Sequence, residues 1–599
     1  MPLAISSNPL CQAHPRMTEI MLRLSLFISV FASIAAAGAA AEIRVDFLMD
    51  REPEEKVQPV KWILRSELLP LWKKALAHPE SEIKRQAAEA IVYAHSQGFA
   101  GMEAAIPELL DILKDEQTHA AARHAAARAL IALDQQTSAA ALFAASQKGN
   151  QELRQLVEPA LARWGFEPIR EIWRQRIGTT QTPRRSLILA IDGLGQQRDV
   201  ADADALRTLV KSVLAPADIR LAAARSLCLI ADSGQEALAE ELMAANPATI
   251  QQRLYAATII GRHQTPRSIE IRQKLGADQE PAVAGEALRT LFLIDPNHIL
   301  PLVEISLANS DSNVRRIAID TYISLPTPDR LKVLSKSLND PHPQLRERVR
   351  NAFFTLSPEP ALNIAIRDSA KEILHGNDWR GQEQAALLLG ALDEESIAPR
   401  LIELLSSQRP EAYLAAAWSL KSLEVPTTAE AVLSFATQLT ENRQKITMPI
   451  DHRLAHLFEL LGRLKHVAAT PLMERYIPKT DQFGDNSRGA AIWALGLIQE
   501  GQVNEPLARQ LIERFKDTNS SPQERFQIRR ASVLTLGRIR AQTQLADLKQ
   551  FVGEKVENEQ MCLTVRSAIQ QISGESLPLI PPAIMERTGW FLEPSLRIK

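Results

Sequence analysis

One local pattern recurs along the chain and limits what it can fold into. Ile219-Arg220-Leu-Ala-Ala-Ala-Arg-Ser-Leu227, Val314-Arg315-Arg-Ile-Ala318-Ile-Asp-Thr-Tyr322 and Ile528-Arg529-Arg-Ala-Ser532-Val-Leu-Thr-Leu536-Gly537 share it. Each has an apolar residue, a basic residue, a small residue three further on and a large apolar residue seven further on. That spacing is a helical stripe. Related segments start near Lys84, Arg123, Arg154, Arg184, Arg253, Ala284, Arg346, Gln382, Tyr413, Leu454, Arg488 and Met561. The result is about fifteen units at intervals of roughly 30–40 residues, the period of stacked helix pairs. Between them lie other helical runs, such as Ile106–Leu113 and Pro399–Leu405, closed by turn signals at Lys114-Asp115, Asn309-Ser310-Asp311, Asn339-Asp340-Pro341 and Lys516-Asp517. Each unit therefore reads as helix, tight turn, helix. The turn Asp is expected to cap the second helix. It is also placed to meet the basic residue of its own or the neighbouring unit, which predicts a ladder of ion pairs.

A single helix pair cannot bury its apolar stripe, so neighbours must stack and share a continuous core. The bulk numbers agree. A chain of 599 residues exceeds what one core can serve. Aromatic residues make up 5% and there are only 24 glycines, which suits helices and argues against a β-rich fold. The 35 prolines recur between apolar segments as punctuation. Charge is balanced, with 69 Lys and Arg against 71 Asp and Glu, so no nucleic-acid partner is expected.

Residues 1–41 read as a secretory leader: Arg23, the apolar run Leu24–Ile34, then small residues ending at Ala41. The run falls short of the ~20 apolar residues that span a bilayer, although retention as an anchor stays open. Met1, Met17 and Met21 are all possible starts. The expected location is periplasmic or extracellular, with no integral span after cleavage. Residues 42–59 form a charged lead-in or cap, residues 60–575 the helical array, and residues 576–599 a proline-containing tail. That tail is expected to be extended, packed on the last repeat or docked on a partner. Cys228 and Cys562 lie too many units apart for a disulfide and are expected as free, mostly buried thiols.

The segments Asp311…Val314-Arg315…Ala318, Asp340…Leu345-Arg346 and Ala256-Ala257…Ile260-Gly261 resemble the HEAT repeat family, including its bacterial short-repeat branch related to bilin lyases. The likeness covers roughly residues 60–575. It implies an all-α solenoid, a right-handed superhelix of about fifteen antiparallel helix pairs. The register weakens at Pro159, at residues 280–290 and at residues 451–462.

The position five after each basic residue lies opposite the core stripe; the resemblance implies that this face lines the concave side. Read along the chain, that column gives Glu89, Arg128, Arg225, Arg289 and Asp320, then Leu387, Trp418, Glu459, Trp493 and Leu534. Trp and Arg are favoured at interface hot spots. Trp418, Trp493, Leu387, Leu534, Arg128, Arg225 and Arg289 are therefore the candidate partner-binding residues. A second basic cluster, Arg163, Arg170, Arg174, Arg176, Arg184 and Arg185, could meet an anionic surface, although such a run is more often a solvated face with local pairing.

Chemistry is sparse. His452 and His456 share one helix face, yet no third ligand accompanies them. Deoxyhypusine hydroxylase, a HEAT-repeat enzyme, binds iron through His-Glu dipeptides; none of the twelve histidines here precedes Glu. No nucleophile elbow or phosphate loop is present, and Asp192-Gly-Leu-Gly reads as a helix end. No catalytic residue, cofactor or metal is assigned. The expected function is an exported scaffold or adaptor for a protein partner. The alternative is a lyase or isomerase acting on a small ligand in the groove.

Overall fold

In the computed structural model, the described residues are 43–54, 60–245, 247–442, 447–480, 482–554, 560–578 and 584–593. The expected leader, residues 1–41, lies outside them. The described chain is 73% helical, and among the described residues fifteen helix hairpins follow one another. They fall into two compact units.

The first unit comprises residues up to Glu52 together with Thr327–Gln544. Its hairpins end in the second helices Pro343–Leu356, Trp379–Ala391, Pro410–Leu423, Met448–Arg463, Asp485–Ile498 and Phe526–Arg538. Each of these packs on the next, as stacking to hide one apolar stripe requires. The other unit comprises Pro53–Pro326 and residues from Leu545 on. Its second helices include Ala120–Ala132, Arg184–Gln197, Ala217–Ile230, Ile250–Ile259, Pro281–Ile294 and Ser312–Ser324, again packed in succession. Each unit is thus an all-α solenoid.

The basic position closes each hairpin in a way the repeat pattern alone does not show. Arg315 Nη1 donates to the carbonyls of Asn309 (2.9 Å) and Ser310 (2.8 Å). Arg346 reaches Asp340 O, Arg220 reaches Val210 O and Arg529 reaches Phe515 O. The guanidinium thereby satisfies carbonyls that the end of the first helix leaves without partners. Ion pairs form at some units, Arg253–Asp278 and Arg488–Glu524 among them. The expected ladder is thus largely one of Arg–carbonyl bonds. Asp311 does cap its helix, accepting from the Asn313 and Val314 amides.

A second repeat feature stands at the end of the second helices. Asp134, Arg198, Asp393, Glu424, Lys465 and Arg540 all take positive φ, between 48° and 55°. Adjacent second helices also approach closely. A Cβ on Gly390 would lie 2.7 Å from Ser419 Cβ, and one on Gly496 would lie 2.7 Å from Thr535 Oγ1. The same hydroxyls donate across the seam, Ser419 to Ala386 O and Thr535 to Ile492 O.

Two short strands, β1 (Lys61–Ile63) and β2 (Ile584–Glu586), pair in parallel in the second unit. Beyond β2, Trp590 is buried among Trp72, Tyr93 and Phe99 at centroid distances of 5.4–5.9 Å. Trp72 Nε1 donates to Phe591 O at 2.7 Å. The proline-containing tail thus seats residues 584–593 on the opening helices of its unit, where the sequence suggested the last repeat or a partner. Cys228 and Cys562 are buried and form no disulfide with each other. Among the described residues, no helix is long and apolar enough to cross a membrane.

Candidate functional site

The column opposite the core stripe has a different fate in each unit. In the first unit it is covered by the strap Ile43–Glu52, an extended segment carrying one helical turn at Leu48–Arg51. The sequence reads this stretch as a charged lead-in.

The strap is held through its backbone and its acidic side chains. Glu459 Oε1 accepts from Met49 N at 2.9 Å, and Lys421 Nζ donates to Asp46 O at 2.5 Å. Arg530 reaches Asp50 O at 3.0 Å and also meets the Asp50 carboxylate and Glu52 O. Trp493 Nε1 donates to the Glu52 carboxylate at 3.1 Å, which Arg538 also pairs. Phe47 packs on His456 and His452 at 4.7 and 5.3 Å. Met49 is buried over Gly489.

The charges under the strap see little water. Lys421 and Glu459, 2% and 0% exposed, pair at 3.2 Å. Burial pushes the Glu459 carboxyl above the usual carboxylate range, only partly offset by Lys421. It also pulls the Lys421 ammonium below its usual value. Burial, with Lys421 and His452 beside it, holds the His456 imidazole well below its usual value.

Trp418 and Trp493 are both buried, as are Leu387 and Leu534. Trp418 lines a cleft of about 550 Å³ together with Ile43, Asp46 and Arg51 of the strap. The face where an outside partner was sought is filled by the chain itself. His452 meets Phe47 edge-on there and His456 packs against it at a tilt, and Asp451 accepts from the Asn486 and Ser487 amides.

In the second unit the same face is open. A groove of about 980 Å³ runs over Ala217–Ile230, Ile250–Ile259, Pro281–Ile294 and Ser312–Ser324. Arg225 and Arg289 line it, joined by Arg262 and Arg316, with Leu221, Leu254 and Leu293 between them. Arg128 is exposed and lies outside this groove. Cys228 also lines it, its thiol pushed up by burial. Arg289 pairs with Glu286, Arg262 with Asp232 and Arg316 with Asp320 at 2.7–3.3 Å. Arg225 has no ion-pair partner among the described residues. Arg262 and Arg316 stand outside the single column legible from the stripe, at the positions nine and one after the basic residue, which face the same way.

Most of the other basic cluster is paired with nearby acids. Arg170 and Arg174 meet Asp199 and Asp202, Arg176 meets the buried Glu158, and Arg184 meets Asp218.

Residues 69–162 match the family model for HEAT repeats. No curated protein matches the chain. Solved structures with related helical construction include importin beta, at 12% identity over 84% of this chain and 72% of that one, with a TM-score of 0.47. Yeast importin-beta is similar at 11% identity over 85% and 72%, with a TM-score of 0.43. The CpcE–CpcF complex of phycocyanin lyase from Nostoc shares 19% identity over 41% of this chain and 94% of that one, with a TM-score of 0.27. None of these superpositions carries a functional argument. The HEAT-repeat signature thus falls on residues 69–162, within a chain whose hairpins stack second helix on second helix as an all-α solenoid in each unit.

Proposed function

We propose that this protein is an exported, non-catalytic scaffold that binds a protein partner on the open face of residues 217–317. The observation that carries this reading is the groove of about 980 Å³ over four successive second helices, lined by four arginines, several leucines and the acids Glu280, Glu286 and Asp311. Such a surface offers charge-assisted hydrogen bonds and apolar contact together, the composition of a recognition face. Its shape is long and open, while small-ligand sites are enclosed. Cys228, the thiol in its lining, is held protonated at neutral pH by burial, which disfavours nucleophilic use. Export is proposed from the leader pattern of residues 1–41.

Crosslinking of the native protein followed by mass spectrometry tests the reading. Crosslinks from a second protein to residues 217–317 are expected. A tightly held small molecule, or turnover abolished by changes in this groove, would replace the scaffold with an enzyme. Fractionation and N-terminal sequencing test export; a mature N-terminus at Glu42 is expected.

A further inference from the structure

The two units treat one face in opposite ways, and the filled one shows what the open one is built to hold. The residues gripping the strap stand at fixed offsets from the basic position of their repeats. Arg530 is one after it, Glu459 and Trp493 five after, Lys421 eight after and Arg538 nine after. The open groove uses the same offsets. Arg316 is one after, Arg225 and Arg289 five after, Cys228 eight after and Arg262 nine after. The two faces are therefore in register, repeat by repeat.

What fills the first face is chemically distinctive. Ile43–Glu52 is extended apart from the helical turn Leu48–Arg51 and carries Asp46, Asp50 and Glu52 against Arg44 and Arg51, with Phe47 and Met49 between the acids. Long cationic side chains read its carbonyls and carboxylates, while its apolar residues settle between helices. The open groove supplies four arginines for such a backbone and leaves Leu293 71% exposed. Acids also line the groove: Glu280, Glu286 and Asp311, of which Asp311 caps its own helix. Glu286, with Asp232 and Asp320 at the margin, engages Arg289, Arg262 and Arg316 in partly exposed pairs. Pairs of this kind hold little energy and exchange readily for an incoming carboxylate. Arg225 forms no ion pair among the described residues; Asp192 is the acid whose charge it senses.

We infer that the groove over residues 217–317 binds an extended, acidic segment of another protein, with apolar residues set between its carboxylates in the manner of the chain's own strap. This rests on the proposed scaffold reading and names the partner's chemistry. Recognition combines carboxylate–guanidinium bonds with side chains seated between second helices, so affinity falls with salt. Specificity follows the spacing of the acids, because successive second helices set the distance between arginines.

The test uses the full chain and a fluorescein-labelled peptide of residues 43–54, read by anisotropy. Wild-type protein is expected to bind it, more weakly as salt is raised. Arg225→Glu with Arg289→Glu is expected to cut affinity by about tenfold or more. Both side chains are exposed, and an unchanged thermal melt confirms that the variant folds. A peptide with its acids changed to Lys is expected to ignore wild type and bind the reversed variant. No binding by wild type, or binding untouched by the reversal, overturns the inference. So does peptide binding lost only on Trp493→Ala, which places it on the strap's own face. A dimer abolished by Arg225→Glu also overturns it, because a second copy's strap is then the occupant. A foreign protein crosslinked to residues 217–317 despite peptide failure leaves the scaffold standing and removes only this chemistry. Absence of any crosslinked protein removes the scaffold itself.

Discussion

Lys421 and Glu459 meet almost out of reach of water, and each also holds a backbone atom of the strap. Removing one member strands the other as a buried charge, which costs roughly 3–5 kcal/mol. Lys421→Met is therefore expected to destabilise the first unit by about that amount. Lys421→Met with Glu459→Met should cost less than the two single changes summed. Denaturant melts, with amide exchange across Ile43–Glu52, check both. His456 adds a pH term. Its neighbours are Lys421, His452, Asp46 and Glu459. Its folded value is depressed, so the unfolded chain takes up a proton first as pH falls below about 6.5. The stability this group contributes is present above that pH and is lost as pH falls toward its folded value. Strap protection is expected to weaken between pH 7 and 5 in wild type relative to His456→Phe. Parallel curves for the two proteins would remove His456 from the account.

At the scale of the helix hairpin, two repeated features set stability. Gly390 and Gly496 leave no room for a Cβ where second helices touch. Gly390→Ala is expected to cost about 1–3 kcal/mol through overpacking, despite the higher helix propensity of Ala. Arg198 holds a left-handed conformation that glycine adopts freely. Arg198→Gly is expected to raise the melting temperature, a gain of about 1 kcal/mol. The hairpin itself was legible, because its apolar stripe and basic position are local and recur. The partner of the basic residue was not, since a guanidinium bonds an acid or a carbonyl equally well on paper. The left-handed helix ends also left no trace: Arg198, Glu424 and Lys465 are not residues that announce a turn. On the binding face, the outward direction of Trp418 and Trp493 follows from the stripe. What covers them depends on Ile43, Asp46 and Glu52, hundreds of residues away, a pairing no local pattern encodes.

For the molecule as a whole, each unit is completed by sequence from the far end of the chain. Residues 43–52 belong with Thr327–Gln544, and residues from Leu545 on belong with Pro53–Pro326. Trp590→Ala removes a ring buried among three others and is expected to cost about 3–5 kcal/mol. The loss should show as faster amide exchange in Leu68–Leu76 and Ser81–Ser96, with Phe526–Arg538 unchanged.

The seat of the tail also sets a clock. Trp72 waits for Phe591, 519 residues later in the chain. At ordinary translation speeds of ~5–20 residues per second, the ribosome needs about 25–100 s to deliver it. Throughout that interval the indole N–H of Trp72 and the hollow meant for Trp590 stand open on the nascent chain. Ribosome-bound chains stopped before residue 590 are therefore expected to leave Leu68–Leu76 more open to proteolysis than chains in which residues 590–591 have emerged.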